Sequence, residues 1–291
     1  MECVQQIYQC RIEQRIGMTS LYNINYLQHL CKKFGLIPSK KYGQNFLINE
    51  EPIAKMLEAA EITKDDVVVE VGPGFGVLTL ALAEKAQKVL AFEIEKKLEP
   101  YWNELKEIKK LGNLEIIWGN ILYEIKNLKI KNYKIISNLP YQITSNVIRK
   151  FLETENKPEL MVLMVQKEVA ERICAKPGDM SVLAISVQCS AEPEIVMYVP
   201  KSYFWPVPGV DSAVIKIRSR ELGVGSRKQD EGFFKIVKAG FANRRKMLIK
   251  NLSSVMDKKK LPAIFKELGI SDKARAQELS VEQWISLVRK L

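Results

Sequence analysis

Between residues 60 and 220 the chain alternates between short apolar runs rich in β-branched residues and longer segments with helical spacing. This alternation constrains the fold more than any other feature, because strands that alternate with helices form parallel βαβ units. The runs are nearly continuous in apolar residues, as expected for strands buried on both faces of a sheet. The predicted strands of this kind are Val67–Val71, Lys88–Glu93, Leu114–Trp118, Tyr133–Ser137 and Leu160–Val165.

The segments between these runs indicate how the sheet is wound. Leu78–Lys85 and Ile143–Leu152 carry apolar residues three and four apart, which predicts crossover helices. Two later runs, Glu194–Val199 and Ser212–Ile217, are separated by a proline-rich stretch that has no room for a long helix, so we expect an antiparallel pair at the sheet edge. Residues 26–219 are thus predicted to form an α/β domain with a doubly wound, Rossmann-like sheet.

From residue 220 onward the strand signals stop and the charge changes. This segment holds 17 lysines and arginines against 8 acids, whereas the other 219 residues hold 28 against 26. A small basic helical domain, residues 220–291, is therefore predicted to bind a polyanion. The charge count alone does not exclude the alternative, which is a solvated helical surface that carries lysine for solubility. The predicted helices are Phe233–Phe241, Lys246–Met256, Leu261–Leu268 and Val281–Leu291.

Several classes of protein are excluded or disfavoured by simple counts. The single histidine, His29, cannot form a histidine-rich metal site, and we expect no metal. The five cysteines include no C-x-x-C pair, which indicates free thiols in a reducing cytoplasm. The chain has neither a membrane-length apolar run nor the apolar core of a signal peptide. Residues 1–25 are interpreted as an appendage of unknown role, and Met18 as a possible alternative start.

The first predicted strand runs into a glycine turn, Gly72-Pro73-Gly74-Phe75-Gly76, preceded by Glu70. Glycines allow backbone to approach a ligand closely, but the spacing is neither the dinucleotide fingerprint nor a P-loop. Glu93, at the end of the second strand, can accept hydrogen bonds from both hydroxyls of a ribose. A ligand with a ribose and no pyrophosphate is S-adenosylmethionine, and Asn120, after the third strand, is placed to meet its adenine. The alternative is a tight strand-to-helix turn with no ligand.

The fourth strand ends in Asn138-Leu139-Pro140-Tyr141. The exocyclic amine of adenine is a poor nucleophile because its lone pair is delocalised into the ring. The Asn138 oxygen and a backbone carbonyl of Leu139-Pro140 can hold both N–H groups, while Tyr141 offers a stacking face for an extruded base. Phe204 can pack against the other face. The alternative is an Asx-Pro turn that follows a strand.

Together these features resemble the small-subunit ribosomal RNA adenine N6,N6-dimethyltransferase family over nearly the whole chain from Tyr26. The matching blocks occur in the family's order. They are Lys40–Leu47, Glu70–Thr79, Asn138–Tyr141, Gln166–Arg172, Phe204–Val214 and Phe241–Lys246.

The resemblance implies dimethylation of two adjacent adenosines near the 3′ end of 16S-type RNA, within a pre-assembled small subunit. It implies S-adenosylmethionine as methyl donor. From the sequence itself we expect a cytoplasmic monomer with no membrane partner. The implied cofactor residues are Asn45, Leu47, Gly72, Gly74, Glu93, Asn120 and Asn138, and the implied catalytic residues are Asn138, Leu139, Pro140, Tyr141 and Phe204. We assign phosphate contacts to Arg244, Arg245, Lys246, Lys40 and Lys41.

Two other functions compete with this interpretation. A protein of the same fold with weak turnover could serve as an RNA-binding assembly factor for the small subunit. An N6-methyltransferase of other RNA or DNA is the second alternative. The intact Asn138–Tyr141 segment argues against lost catalysis, since decay is expected there first.

The family usually has Asp at the position of Asn120. An amide oxygen can accept from the adenine amine but carries no charge, so we expect cofactor binding to be weaker than is usual in the family. Asn120→Asp should strengthen it, as measured by calorimetric titration, and weaker binding by this variant would contradict the role given to Asn120.

Overall fold

The computed structural model describes residues 18–38, 44–125, 128–220 and 227–290 of the chain. Its strands are β1 Phe46–Leu47, β2 Val67–Val71, β3 Lys88–Glu93, β4 Leu114–Trp118, β5 Tyr133–Asn138, β6 Leu160–Gln166, β7 Ala191–Val199, β8 Phe204–Trp205 and β9 Ser212–Ser219. Its helices are α1 Met18–Leu21, α2 Ile24–Lys33, α3 Glu51–Ala60, α4 Val77–Lys85, α5 Glu99–Lys109, α6 Ile121–Glu124, α7 Thr144–Leu152, α8 Lys167–Ile173, α9 Val182–Gln188, α10 Arg227–Gly240, α11 Leu248–Leu252, α12 Leu261–Glu267 and α13 Val281–Lys290.

Seven strands form one sheet in the order β4-β3-β2-β5-β6-β9-β7. Strands β2 to β6 are parallel, and β9 pairs antiparallel with both β6 and β7. The chain moves outward from β2 to β4, then crosses back to place β5 on the other side of β2. This reversal puts the loops after β2 and β5 side by side at the carboxyl edge of the sheet.

Both faces of the sheet are buried, which explains the near-continuous apolar runs. Along β2, Val68 packs on one face with Met56 and Leu82, whereas Val69 packs on the other face with Ile148. Because successive side chains of a strand point to opposite faces, a strand covered on both sides needs apolar residues at every position.

The last four helices enclose a separate apolar cluster. Phe265 and Trp284 are fully buried in it, and Ala184 and Ile185 of α9 belong to the same cluster. The C-terminal helices therefore pack on α9 through apolar contacts.

The predicted fold class is confirmed, and each predicted strand is present with its ends within a few residues. The predicted helix over residues 246–256 is shorter, at Leu248–Leu252. The Asn251 amide donates to the carbonyls of Gly240, at 2.6 Å, and Asn243, at 3.0 Å, so the residues before Leu248 are held in a turn.

The domain boundaries stay predictions. Within the segment assigned to the N-terminal appendage, the Leu21 side chain is buried in the same core as Leu27. Residues 1–17 lie outside the described residues. No helix in the described ranges has the length and apolar character needed to cross a membrane.

Candidate active site at the carboxyl edge of the sheet

A crevice opens where the loops after β2 and β5 diverge, the position at which open α/β sheets bind ligands. The residues predicted to hold the cofactor all line it: Asn45, Leu47, Gly72, Gly74, Glu93, Asn120 and Asn138. Of the predicted catalytic residues, Asn138 and Pro140 line the crevice, whereas Leu139, Tyr141 and Phe204 are outside its lining. The fold thus brings residues from five separate segments to one place.

The glycine turn after β2 has a backbone that side chains would obstruct. Gly72, Gly74 and Gly76 have φ angles of 73°, 56° and 89°, in the left-handed region. At Gly76 a Cβ atom would also lie 2.6 Å from a ring carbon of Trp102. The turn therefore needs glycine at this position for its dihedral angle and for packing.

Two aromatic side chains of α5 hold this turn from behind. The Trp102 indole N–H donates to the Gly74 carbonyl at 3.1 Å, and the Tyr101 hydroxyl donates to the Phe75 carbonyl at 2.7 Å. Both side chains are buried, so water does not compete for these bonds. Sequence reasoning did not identify this pair, although adjacent Tyr and Trp in the helix after the second strand were an available signal.

Glu93 lies at the end of β3 with its carboxylate folded onto the backbone. Oε2 accepts from Gly74 N–H at 3.2 Å, and Oε1 accepts from the N–H groups of Ile94 and Glu95, both at 2.8 Å. Burial raises the pKa of Glu93, and the backbone donors oppose that shift. Each carboxylate oxygen has lone pairs left for a ligand hydroxyl.

Glu70 is the most deeply buried acid of the crevice, with 2% of its surface exposed. Burial raises its pKa to about 8, and the charge of Glu93 adds to the shift. Its Oε2 has no hydrogen-bond partner among the described residues. A buried polar atom without a partner is costly, so a ligand group that donates to it would stabilise the protein.

Asn120 follows β4 and begins α6. Its Oδ1 accepts from the backbone N–H of Leu122 at 3.0 Å, which makes it the N-cap of this helix. The sequence assigns that same oxygen to the adenine amine, but in the structure the helix cap uses it.

The segment after β5 is fixed on both sides. The buried Ser137 hydroxyl donates to the Val71 carbonyl at 2.7 Å, and Leu139 N–H donates to the Met164 carbonyl at 3.1 Å. The Pro140 ring packs over Gly72, 3.7 Å from where a Cβ of Gly72 would stand. The two motifs therefore lie side by side at the carboxyl edge of the sheet.

Tyr141 begins a 3₁₀ turn, Tyr141–Ile143, and its ring is anchored through the hydroxyl. That hydroxyl lies 2.7 Å from Oγ of the fully buried Ser212 at the start of β9. Burial raises the pKa of Tyr141, so the phenol stays protonated at neutral pH. Ser212 also escaped sequence reasoning, because its contact with Tyr141 joins positions 71 residues apart.

Phe204 lies in the two-stranded ribbon of β1 and β8, where it pairs with Leu47. Its side chain is 1% exposed, so its ring offers no face to a base in this structure. Beside it, the rings of Phe46 and Trp205 stack with centroids 6.2 Å apart. The stacking role of Phe204 stays a prediction, and it requires movement of this ribbon.

Arg244, Arg245 and Lys246 are exposed in the turn before α11, away from the crevice lining. Arg244 Nε donates to Gln277 Oε1 at 3.1 Å. Lys40 and Lys41 lie outside the described residues. His29 is exposed on α2, and the described residues contain no cluster of three or more metal-binding side chains.

Comparison with known proteins agrees with this geometry. The family model for ribosomal RNA adenine dimethylases matches residues 38–291. A ribosomal RNA small subunit methyltransferase A from Dehalococcoides mccartyi is 41% identical over 263 residues, covering 88% of this chain and 89% of its own. A protein of the same name from Bacillus cereus is 36% identical over 288 residues, with 94% and 98% covered.

Two solved structures extend the comparison to three dimensions. A dimethyladenosine transferase from Plasmodium falciparum superposes with a TM-score of 0.74 at 26% identity, over 84% of this chain and 96% of its own. The 23S rRNA methyltransferase ErmE gives 0.68 at 27% identity, over 85% and 99%.

The seven-stranded sheet and the crevice at its switch point define a Rossmann-like methyltransferase. The family match over residues 38–291 and the relatives above 30% identity narrow the class further. The chain belongs to the ribosomal RNA adenine dimethylase family.

The raised pKa of Glu70 predicts a pH-dependent stability. The unfolded chain loses this proton near pH 4.5, whereas the folded protein holds it until about pH 8. The free energy of unfolding should therefore fall as pH rises between these values, by at most about 1.4 kcal/mol per pH unit from this group. Glu70→Gln, which cannot ionise, should flatten that fall.

The measurement is thermal unfolding of both proteins from pH 5 to pH 8. The exposed Glu107→Gln serves as control and should follow the wild-type curve. Parallel curves for wild type and Glu70→Gln would show that Glu70 ionises normally.

Proposed function

We propose that this protein transfers methyl groups from S-adenosylmethionine to N6 of two adjacent adenosines near the 3′ end of small-subunit ribosomal RNA. The observation that carries the proposal is the contact between the glycine turn and the Asn138–Tyr141 segment, with Pro140 packed over Gly72. A donor cradled at the turn would lie beside an amine held by the segment, and methyl transfer needs this proximity.

The crevice residues fit this cofactor. Gly72 and Gly74 leave the space that side chains would fill, and Glu93 offers carboxylate oxygens at the end of β3. Glu70, whose Oε2 has no hydrogen-bond partner among the described residues, is a buried carboxyl group that a positively charged or N–H group of the ligand would hold in its ionised, accepting form. When bound, S-adenosylmethionine supplies an electrophilic methyl group on a positively charged sulfur.

The target amine needs two acceptors, one for each N–H, so that its lone pair can turn out of the ring plane. The Asn138 side-chain oxygen is the first. For the second, the Pro140 carbonyl already accepts from Ile143 N–H at 3.1 Å and from the Thr144 hydroxyl at 3.4 Å. The Leu139 carbonyl has no such partner among the described residues, so we assign it as the second acceptor.

These acceptors also stabilise the charge that develops during methyl transfer. The amine becomes acidic only as it is alkylated, so no strong base is required at the start. Asn138 Oδ1 and the Leu139 carbonyl stabilise the positive charge that develops on nitrogen, which is catalysis by positioning and electrostatics. The proton can then pass to water.

Tyr141 is assigned to hold the target base by stacking. Its hydroxyl bond to Ser212 fixes the ring, so little side-chain entropy is lost when a base packs on it.

The proposed domain boundary lies near residue 219. We assign methyl transfer to the domain before this boundary and RNA binding to the domain after it. We propose as substrate a pre-assembled small subunit, bound by a monomer through residues 244–246 and the Lys40-Lys41 pair.

The second candidate function is a small-subunit assembly factor of low activity. The helix-capping role of Asn120 favours it, because the oxygen expected to accept from the adenine amine already accepts from Leu122 N–H and keeps only one lone pair for a ligand. The position of Asn138 and Leu139 at the exit of β5, with Asn138 in the lining of the crevice, favours the enzyme.

A tritiated-methyl assay on purified small subunits, free ribosomal RNA and duplex DNA separates these functions. Wild-type protein should label small subunits, with two dimethylated adenosines found by mass spectrometry of the RNA. Asn138→Ala should lower the rate at least about 100-fold, since it removes one acceptor used in the transition state. The exposed Asn103→Ala on α5 is the matched control and should retain the wild-type rate.

Subunit binding without methyl incorporation would support the assembly factor instead. Preferred labelling of duplex DNA would exclude the assigned substrate.

Phosphate contacts by residues 244–246 predict a change in salt dependence. Replacing Arg244, Arg245 and Lys246 with glutamine should reduce the slope of log affinity against log salt by about 2 to 3, since each neutralised phosphate contributes about 0.7–0.9. Filter binding of subunit RNA at several salt concentrations measures the slope.

The control removes equal charge elsewhere in the same domain. Lys258, Lys259 and Lys260 are exposed, and their replacement with glutamine should leave the slope nearly unchanged. Equal slopes for both triple variants would favour a merely solvated basic surface.

A further inference from the structure

Asn120 stands between the last residues of β4 and the first turn of α6, in the lining of the crevice. Its backbone has φ −90° and ψ 112°, the extended conformation of an N-cap residue. Its side-chain oxygen accepts from Leu122 N–H at 3.0 Å. This hydrogen bond fixes the orientation of the Asn120 amide. If the amide were flipped, its NH₂ group would face Leu122 N–H, and both groups are donors.

An asparagine amide has one oxygen acceptor and one nitrogen that carries two donors. Oδ1 keeps one lone pair after it accepts from Leu122 N–H, whereas both N–H groups of Nδ2 remain for other partners. Nδ2 has no hydrogen-bond partner among the described residues. The residue lines the crevice next to Gly119 and Ile121, so a ligand bound there would lie beside a side chain whose unused donors are on Nδ2.

An aspartate at this position would differ in one respect only. One of its oxygens could cap α6 and the second would still offer an acceptor to the crevice. The Asn120 side chain therefore presents the opposite hydrogen-bond polarity to a ligand, with nearly the same shape and the same helix cap.

We propose that Asn120 reads the cofactor's adenine as a hydrogen-bond donor, at ring nitrogen N1, and not as an acceptor of the 6-amino group. This inference rests on the proposed cofactor. Adenine shows a donor, the 6-amino group, beside an acceptor, N1, on the same edge, so a small shift of the base exchanges one pairing for the other. Asn120 is thus a specificity-determining residue for the base of the cofactor.

Two deletion analogues of S-adenosylhomocysteine, the demethylated cofactor product, test the proposal by calorimetric titration. The 1-deaza analogue replaces N1 with C–H, and the 6-deamino analogue replaces the amino group with hydrogen. Wild-type protein should lose about tenfold in affinity for the 1-deaza analogue and little for the 6-deamino analogue.

Asn120→Asp should reverse this order, with about tenfold loss for the 6-deamino analogue and little for the 1-deaza analogue. Asn120→Ser keeps a hydroxyl for the helix cap but no group that reaches the base. It should bind both analogues with nearly the same affinity as the parent compound, which separates base reading from helix capping.

The outcomes separate the inference from the proposed function. If S-adenosylhomocysteine itself does not bind the wild-type protein, the proposed cofactor is wrong and the inference falls with it. If it binds, and the wild-type protein loses more affinity on removal of the 6-amino group than on removal of N1, Asn120 acts as an acceptor. The cofactor assignment would then stand and the donor assignment would be overturned.

Discussion

The packing of the Pro140 ring over Gly72 is the contact on which the rest of the crevice depends. It brings the loop after β2 beside the loop after β5, and Gly72, whose φ angle is 73°, gives the first loop a backbone conformation that residues with side chains rarely adopt. The strand order alone places these loops at one edge of the sheet but does not determine the distance between them. The proline–glycine contact sets that separation, and the bond from Ser137 to the Val71 carbonyl holds the strands beneath it.

Around this contact the protein keeps polar groups in an apolar setting. Tyr101 and Trp102 satisfy two carbonyls of the glycine turn from below, so these buried carbonyls need no water. Glu93 is folded onto backbone donors, whereas one oxygen of Glu70 is left without a partner among the described residues. The backbone of the site is thus fixed by hydrogen bonds within the protein, while a polar group that faces the ligand lacks a partner. Such a site is preorganised for binding, because little has to move or be desolvated when the ligand binds.

How much was predictable differs between elements. Strands β2 to β6 follow from their apolar runs, since a strand buried on both faces leaves a continuous signal. The crevice residues Gly72, Glu93 and Asn138 follow from their places at strand ends, because parallel strands put all their carboxyl ends at one edge. The helix predicted over residues 246–256 was too long, because the Asn251 side chain interrupts the helical pattern through bonds that periodicity does not reveal. Phe204 was expected as an open stacking face, and the ribbon with β1 instead buries it.

The sequence by itself determined the parallel sheet, the glycine turn and the set of side chains at the strand ends, since these depend on local periodicity and on residue type. Only the tertiary structure decided which atoms those side chains present. It turned the Asn120 oxygen to a helix cap, gave the Pro140 carbonyl partners where the Leu139 carbonyl has none among the described residues, and anchored Tyr141 on Ser212. Hydrogen bonds are directional and each group has few of them, so the bonds made inside the fold decide which donors and acceptors are left for a ligand.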